Sequence, residues 1–135
     1  MIQRVRLAAP AKVNLFLDVL RRRPDGYHDL HTVFHRVSLL DDVELEILGE
    51  ERGAQDPLVG EFLVEGPAAV PAVPTNEQNL VWKALALLEA EAETRFPKLR
   101  VRLVKRIPTG GGLGGGSSDA ATALRAANEL LMLEI

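Results

Sequence analysis

The fourteen residues Pro108-Thr-Gly-Gly-Gly-Leu-Gly-Gly-Gly-Ser-Ser-Asp-Ala-Ala121 join a glycine loop to an Ala- and Leu-rich stretch, a combination suited to holding phosphate. Of the seven positions from Gly110 to Gly116 only Leu113 carries a side chain, so the backbone can reach positive φ and come close to a ligand. Ser117, Ser118 and Asp119 are N-cap types, and Ala120 to Ile135 reads as a helix. The loop should therefore end where backbone N–H groups lack intrahelical partners. Such an end attracts anions, and the two serine hydroxyls add donors or help to hold a magnesium ion.

Other glycine motifs fit less well. A Walker A loop needs Lys and Ser/Thr after its last glycine, and Gly116 is followed by Ser117 and Ser118. The dinucleotide fingerprint can be laid on Gly110, Gly112 and Gly115, but glycine density makes that match easy and Pro108 separates the loop from the preceding strand. A flexible linker would lack the anchor Leu113 and would not run straight into a helix. Elsewhere, Lys12 heads a strand and is one of four lysines among sixteen basic residues. Tyr27 and His28 flank a Pro-Asp-Gly turn, where side chains are exposed and positionable. On spacing alone Lys12, Tyr27 and His28 could equally be surface residues, Asn79 a helix cap and Lys105 a solvated strand end. His28, His31 and His35 raise the question of a metal centre, but no cysteine joins them and none is expected.

The loop resembles the phosphate loop P-x-x-x-G-L-G-S-S-A-A of the GHMP kinase superfamily. The extra glycine and the Ser-Ser-Asp-Ala-Ala ending resemble the branch acting on 4-diphosphocytidyl-2-C-methyl-D-erythritol in non-mevalonate isoprenoid synthesis. Pro10-Ala-Lys-Val-Asn-Leu-Phe-Leu17 and Arg23-Pro-Asp-Gly-Tyr-His28 are similar to that branch's amino-terminal signature, so the likeness runs from about Leu7 to the last residue.

The resemblance implies an ATP- and Mg2+-dependent enzyme that phosphorylates the 2-hydroxyl of this small molecule, with no nucleic-acid or membrane partner. It implies Lys12 as the catalytic residue beside the acceptor hydroxyl and the transferred phosphoryl group, with Asn14 orienting the substrate. Tyr27 and His28 would contact its cytidine. Pro108, Thr109, Gly110, Gly111, Gly112, Leu113, Gly114, Gly115, Gly116, Ser117 and Ser118 would wrap the ATP phosphates, and Asn79, Leu80 and Lys105 would lie near the adenine. In this family a catalytic Asp lies in a Gly-Ala-Asp-Val-Pro segment after the loop helix. Residues 1–135 are therefore expected to form an amino-terminal ATP-binding domain truncated before that Asp and a carboxy-terminal domain, with little turnover and an exposed apolar patch on the last helix. A homoserine- or mevalonate-type kinase and a non-catalytic nucleic-acid-binding module are the alternatives.

The elements that must position these residues follow from periodicity. Ile2 to Ala8 reads as a strand that Pro10 interrupts, and Val13 to Val19 alternates as a second, sending Lys12, Asn14 and Asp18 to one side. Thr32 to Leu40 forms a third strand, and Val43, Leu45 and Ile47 alternate with glutamates in a fourth. A short strand near Glu61 to Glu65 precedes a Pro-rich surface crossing. Asn76 or Asn79 caps a helix from Leu80 to about Glu93 with Leu80, Ala84, Leu85 and Leu88 inward, and Leu99 to Lys105 delivers the loop. The result is an α+β fold, a mixed β-sheet with helices packed on one face, and the resemblance implies that it is of the GHMP kinase amino-terminal type, to which ribosomal protein domains are related. At 135 residues a single domain is expected. A net charge of −3 argues against nucleic acid, the lack of cysteine suits a reducing cytoplasm, and no run is long and apolar enough to span a membrane.

Overall fold

A computed structural model describes residues 3–22, 24, 28–49, 51–109 and 114–134, with backbone alone for 13–22 and 28–37. Two long strands, β1 (Arg4–Arg22) and β2 (His28–Ile47), replace the four expected in this half. They are followed by β3 (Val59–Glu65), α1 (Leu80–Ala92), β4 (Leu99–Val104) and α2 (Gly115–Leu131). The sheet order is β1-β2-β4-β3, antiparallel except for the parallel pair of β3 and β4.

Pro10 does not end β1. The strand lies at the sheet edge, where a residue without an N–H is tolerated. Its pairing with β2 jumps from Pro10↔Leu40 to Lys12↔Arg36, so the irregularity is absorbed there. Asp41 and Asp42 do not break β2, because both carboxylates have partners. Asp42 faces out to Arg6 at 2.5 Å and Arg106 at 3.0 Å, while Asp41 is fully buried.

One face of the sheet makes the core. Ala9, Val43, Leu45, Leu99, Val101 and Leu103 pack under Val81 and Leu85 of α1 and under Ala123, Ala126, Ala127 and Leu130 of α2. Alanine on the inner side of α2 lets that helix sit close to the strands. Within α1 the inward residues are Val81 and Leu85, whereas Leu80 is about half exposed, so the expected inner face is rotated by one position. Trp82 stacks on Phe62 of β3, their ring centroids 6.1 Å apart.

Asn79 is the cap of α1: its Oδ1 accepts the Val81 N–H at 2.9 Å, and its Nδ2 donates to Pro74 O at 2.9 Å. The second bond fastens the Pro-rich crossing to the helix start. The start of α2 differs from expectation: its cap is Gly114, at φ +69°, and Ser117 and Ser118 lie inside the first turn. Packing decides this. A Cβ on Gly115 would sit 2.8 Å from Ile107 Cγ2, so the glycines let the helix begin directly against a fully buried Ile107.

Candidate active site

The start of α2 stands between two cavities. One, of about 380 Å³, lies between the Pro-rich crossing, the start of α1 and the start of α2. Ala72, Val73, Pro74 and Leu80 give it an apolar end, and Thr109, Gly114, Gly115, Gly116 and Ser117 a polar one. Asn79, Lys105 and Pro108 complete its wall, so seven of the loop positions and all three adenine-side candidates that are described fall around this cavity or its neighbour. A slot with an apolar end and a helix N-terminus at the other suits a flat heterocycle carrying phosphate.

The second cavity lies across the loop. Pro10, Ala11 and Lys12 form one side, and Ser117, Ser118, Ala121, Thr122 and Arg125 the other, with Gly114 and Ser117 shared between the two cavities. Strict alternation from Leu7, Ala9 and Ala11 would send Lys12 to the open face with Arg4 and Arg6. The break in pairing at Pro10 lets it turn to α2 instead. Its side chain runs past Gly114 so closely that a Cβ there would lie 2.7 Å from Cε. Gly114 is thus required twice, for its positive φ and for the passage of Lys12.

The N–H of Ser118 makes the first bond of α2, to Gly114 O at 2.9 Å. The preceding N–H groups, at residues 115–117, are those a helix leaves without intrahelical partners, and they belong to the residues that line the cavities. Magnesium finds no cluster of its own: among the described residues no group of three or more His, Cys, Asp or Glu could hold a metal ion. Asn14 and His28 lie in β1 and β2 with side chains outside the described residues, as do Tyr27 and Gly110 to Leu113 entirely.

Lys105 is no solvated strand end. It is buried, and its Nζ donates to Asp41 Oδ2 at 2.6 Å and to Asp119 Oδ2 at 2.7 Å. Burial pushes the Asp119 carboxyl up, Asp41 beside it pushes further, and Lys105 offsets only part, leaving it at about 7. Burial also acts on Asp41, but bonds from Asp119, Lys105 and the N–H groups of Arg106 and Ile107 outweigh it and hold that carboxyl below the usual range. Lys105 is held above its ordinary value because the two carboxylates outweigh its desolvation. Sequence reasoning missed Asp41 and Arg125. An Asp41-Asp42 pair between two apolar strand segments signalled the first, and the i, i+4, i+8 spacing of Ser117, Ala121 and Arg125 signalled the second.

Residues 79–135 match the GHMP kinases N terminal domain. A solved 4-(cytidine 5'-diphospho)-2C-methyl-D-erythritol kinase superposes with a TM-score of 0.72 at 40% identity, over 97% of this chain and 42% of its own. Together with the start of α2 after the glycine loop, these give the chain the fold of a GHMP kinase N-terminal domain. Its sequence is similar to the 4-diphosphocytidyl-2-C-methyl-D-erythritol kinase of Marinobacter nauticus, 42% identical over the whole chain and 43% of the relative. The same-named enzyme of Mycolicibacterium gilvum is 45% identical over 97% of the chain and 37% of the relative. The chain spans about two fifths of the length of these relatives.

Proposed function

We propose that this chain forms the ATP-binding part of a cytoplasmic kinase that moves the γ-phosphoryl of ATP to the 2-hydroxyl of 4-diphosphocytidyl-2-C-methyl-D-erythritol. The observation that carries the reading is the meeting of two cavities at Gly114 and Ser117, one an apolar slot and the other walled by Lys12. Bound ATP would supply the phosphoryl group and Mg2+ would shield its charge, with the Ser117 and Ser118 hydroxyls as the oxygen donors at hand. The chain's own part is positioning and electrostatics. N–H groups at the start of α2 hold phosphate oxygens, Lys12 offers positive charge where the phosphoryl oxygens gain negative charge, and Arg125 faces the acceptor side. Residues 72–74 with Leu80 cover the apolar base, and Asn79 keeps that wall in place. Asn14, Tyr27 and His28 take the diphosphocytidyl substrate.

Calorimetry with Mg-ATP, paired with ADP release in the presence of the diphosphocytidyl substrate, homoserine or mevalonate, tests the reading. Binding of Mg-ATP with little turnover is expected of this chain. Binding abolished by Leu80→Asp, which places a charge in the apolar end, agrees with the proposal. Absence of nucleotide binding, or turnover only with homoserine or mevalonate, overturns it.

A further inference from the structure

The loop is flanked by a buried cluster of charges. Asp41, in the interior of β2, accepts the Lys105 ammonium on Oδ2 at 2.6 Å, and on Oδ1 the N–H groups of Arg106 at 2.6 Å and Ile107 at 2.9 Å. The same ammonium donates to Asp119 Oδ2, one turn into α2, at 2.7 Å. These side chains are at most 5% exposed. One nitrogen therefore ties the last residues before the glycine loop to the first turns after it, and both to the middle of the sheet. Asp119 Oδ1 is buried and has no hydrogen-bond partner among the described residues. Asp119 lines the nucleotide cavity, whereas Asp41 lines neither cavity.

Stability alone is a poor account of such a group. Removing an ammonium and two carboxyl groups from water is costly, and apolar replacements of the same volume are often as stable. What a buried ionic group provides is a fixed arrangement with directional bonds. We propose that Asp41, Lys105 and Asp119 form a clamp that sets the distance between the two ends of the glycine loop, with Asp41 as a positioning residue for the phosphate site. This rests on the nucleotide reading above. The N–H groups of Arg106 and Ile107 fix the direction in which the chain leaves β4. The Lys105 bridge fixes where α2 begins, so the N–H groups of 115–117 converge on one point only while both are held. The charged groups acting on Asp119 are Lys105 from the end of β4 and Asp41 from β2.

The test uses Asp41→Asn, Asp119→Asn and Asp119→Ala in this chain, with Mg-ATP as the probe. In Asp41→Asn an amide NH2 must face either the ammonium or two backbone N–H groups, so Mg-ATP affinity should fall about tenfold or more while unfolding stays cooperative. Asp119→Asn keeps an oxygen for Lys105 and should bind at least about fivefold more tightly than Asp119→Ala. It should also flatten the change in affinity between pH 6 and 8 relative to wild type. Wild-type affinity in a cooperatively folded Asp41→Asn overturns the clamp. Should that variant fail to fold, equal affinities of the two Asp119 variants overturn it instead. Should the wild type bind no nucleotide, the functional reading falls, and the clamp is then decided by hydrogen exchange at the 114–118 amides. Exchange accelerated in Asp119→Ala but not in Asp119→Asn supports it, and exchange unchanged in both overturns it.

Discussion

At the scale of single residues, the site depends on contacts that leave no room. Gly114 sits at φ +69° with Lys12 Cε where its Cβ would go. Gly114→Ala should cost roughly 1–2 kcal/mol through the left-handed backbone and should also push Lys12 aside. Urea unfolding reads the first effect, and a loss of Mg-ATP affinity shared with Lys12→Met reads the second. Asp119 makes a pH prediction. Its carboxyl holds a proton up to about 7 in the folded chain and only to its ordinary value, 3.8, when unfolded. The folded state therefore binds more protons across that window, and stability should fall as pH rises through it. Asp41 acts in the opposite sense, its contribution being lost as pH drops below the usual carboxylate range. Urea midpoints from pH 4 to 8, compared with Asp119→Asn, should show the decline in wild type alone.

At the scale of elements, both helices are started by what they touch. Asn79 serves α1 and the crossing together, so Asn79→Ala should cost about 1–2 kcal/mol and loosen the wall that carries Pro74. A shift in the urea midpoint with faster hydrogen exchange at residues 72–75 would register both. Alpha-2 begins at Gly115 because only glycine fits over Ile107, and Gly115→Ala should destabilise by roughly 1–3 kcal/mol. Pattern reading put this start five residues later, at the first residues with helix-forming side chains. Glycine has a low helix propensity, so no sequence scale assigns Gly115 and Gly116 to a helix.

At the scale of the molecule, strand order decides what each sheet face does. With the order β1-β2-β4-β3, Arg4 and Arg6, then Glu44 and Glu46, then Arg100 and Arg102, then Glu61 and Glu65 form columns of alternating sign on the face away from the helices. Such pairs, half-buried at most of their members and open to water on one side, add little. Arg100→Ala should leave the urea midpoint nearly unchanged and Mg-ATP affinity unaffected, which comparison with Asn79→Ala would check. The helix-covered face carries the core, and its rim, where β1, the end of β4 and α2 meet, carries both cavities. Among the described residues no helix is long and apolar enough to cross a membrane.

Local sequence determined both helices as helices and the alternation of Val43 to Ile47, because each depends on neighbours within a few residues, and it narrowed the cap of α1 to Asn76 or Asn79. Tertiary structure decided the rest. Pro10 continues a strand because β1 is at the edge, and Asp41 continues one because Lys105, 64 residues away, neutralises it. Lys12 meets Gly114 only because β1 and α2 pack together. No periodicity encodes that approach, since it is set by the volume of the side chains between two elements and not by either element's own spacing.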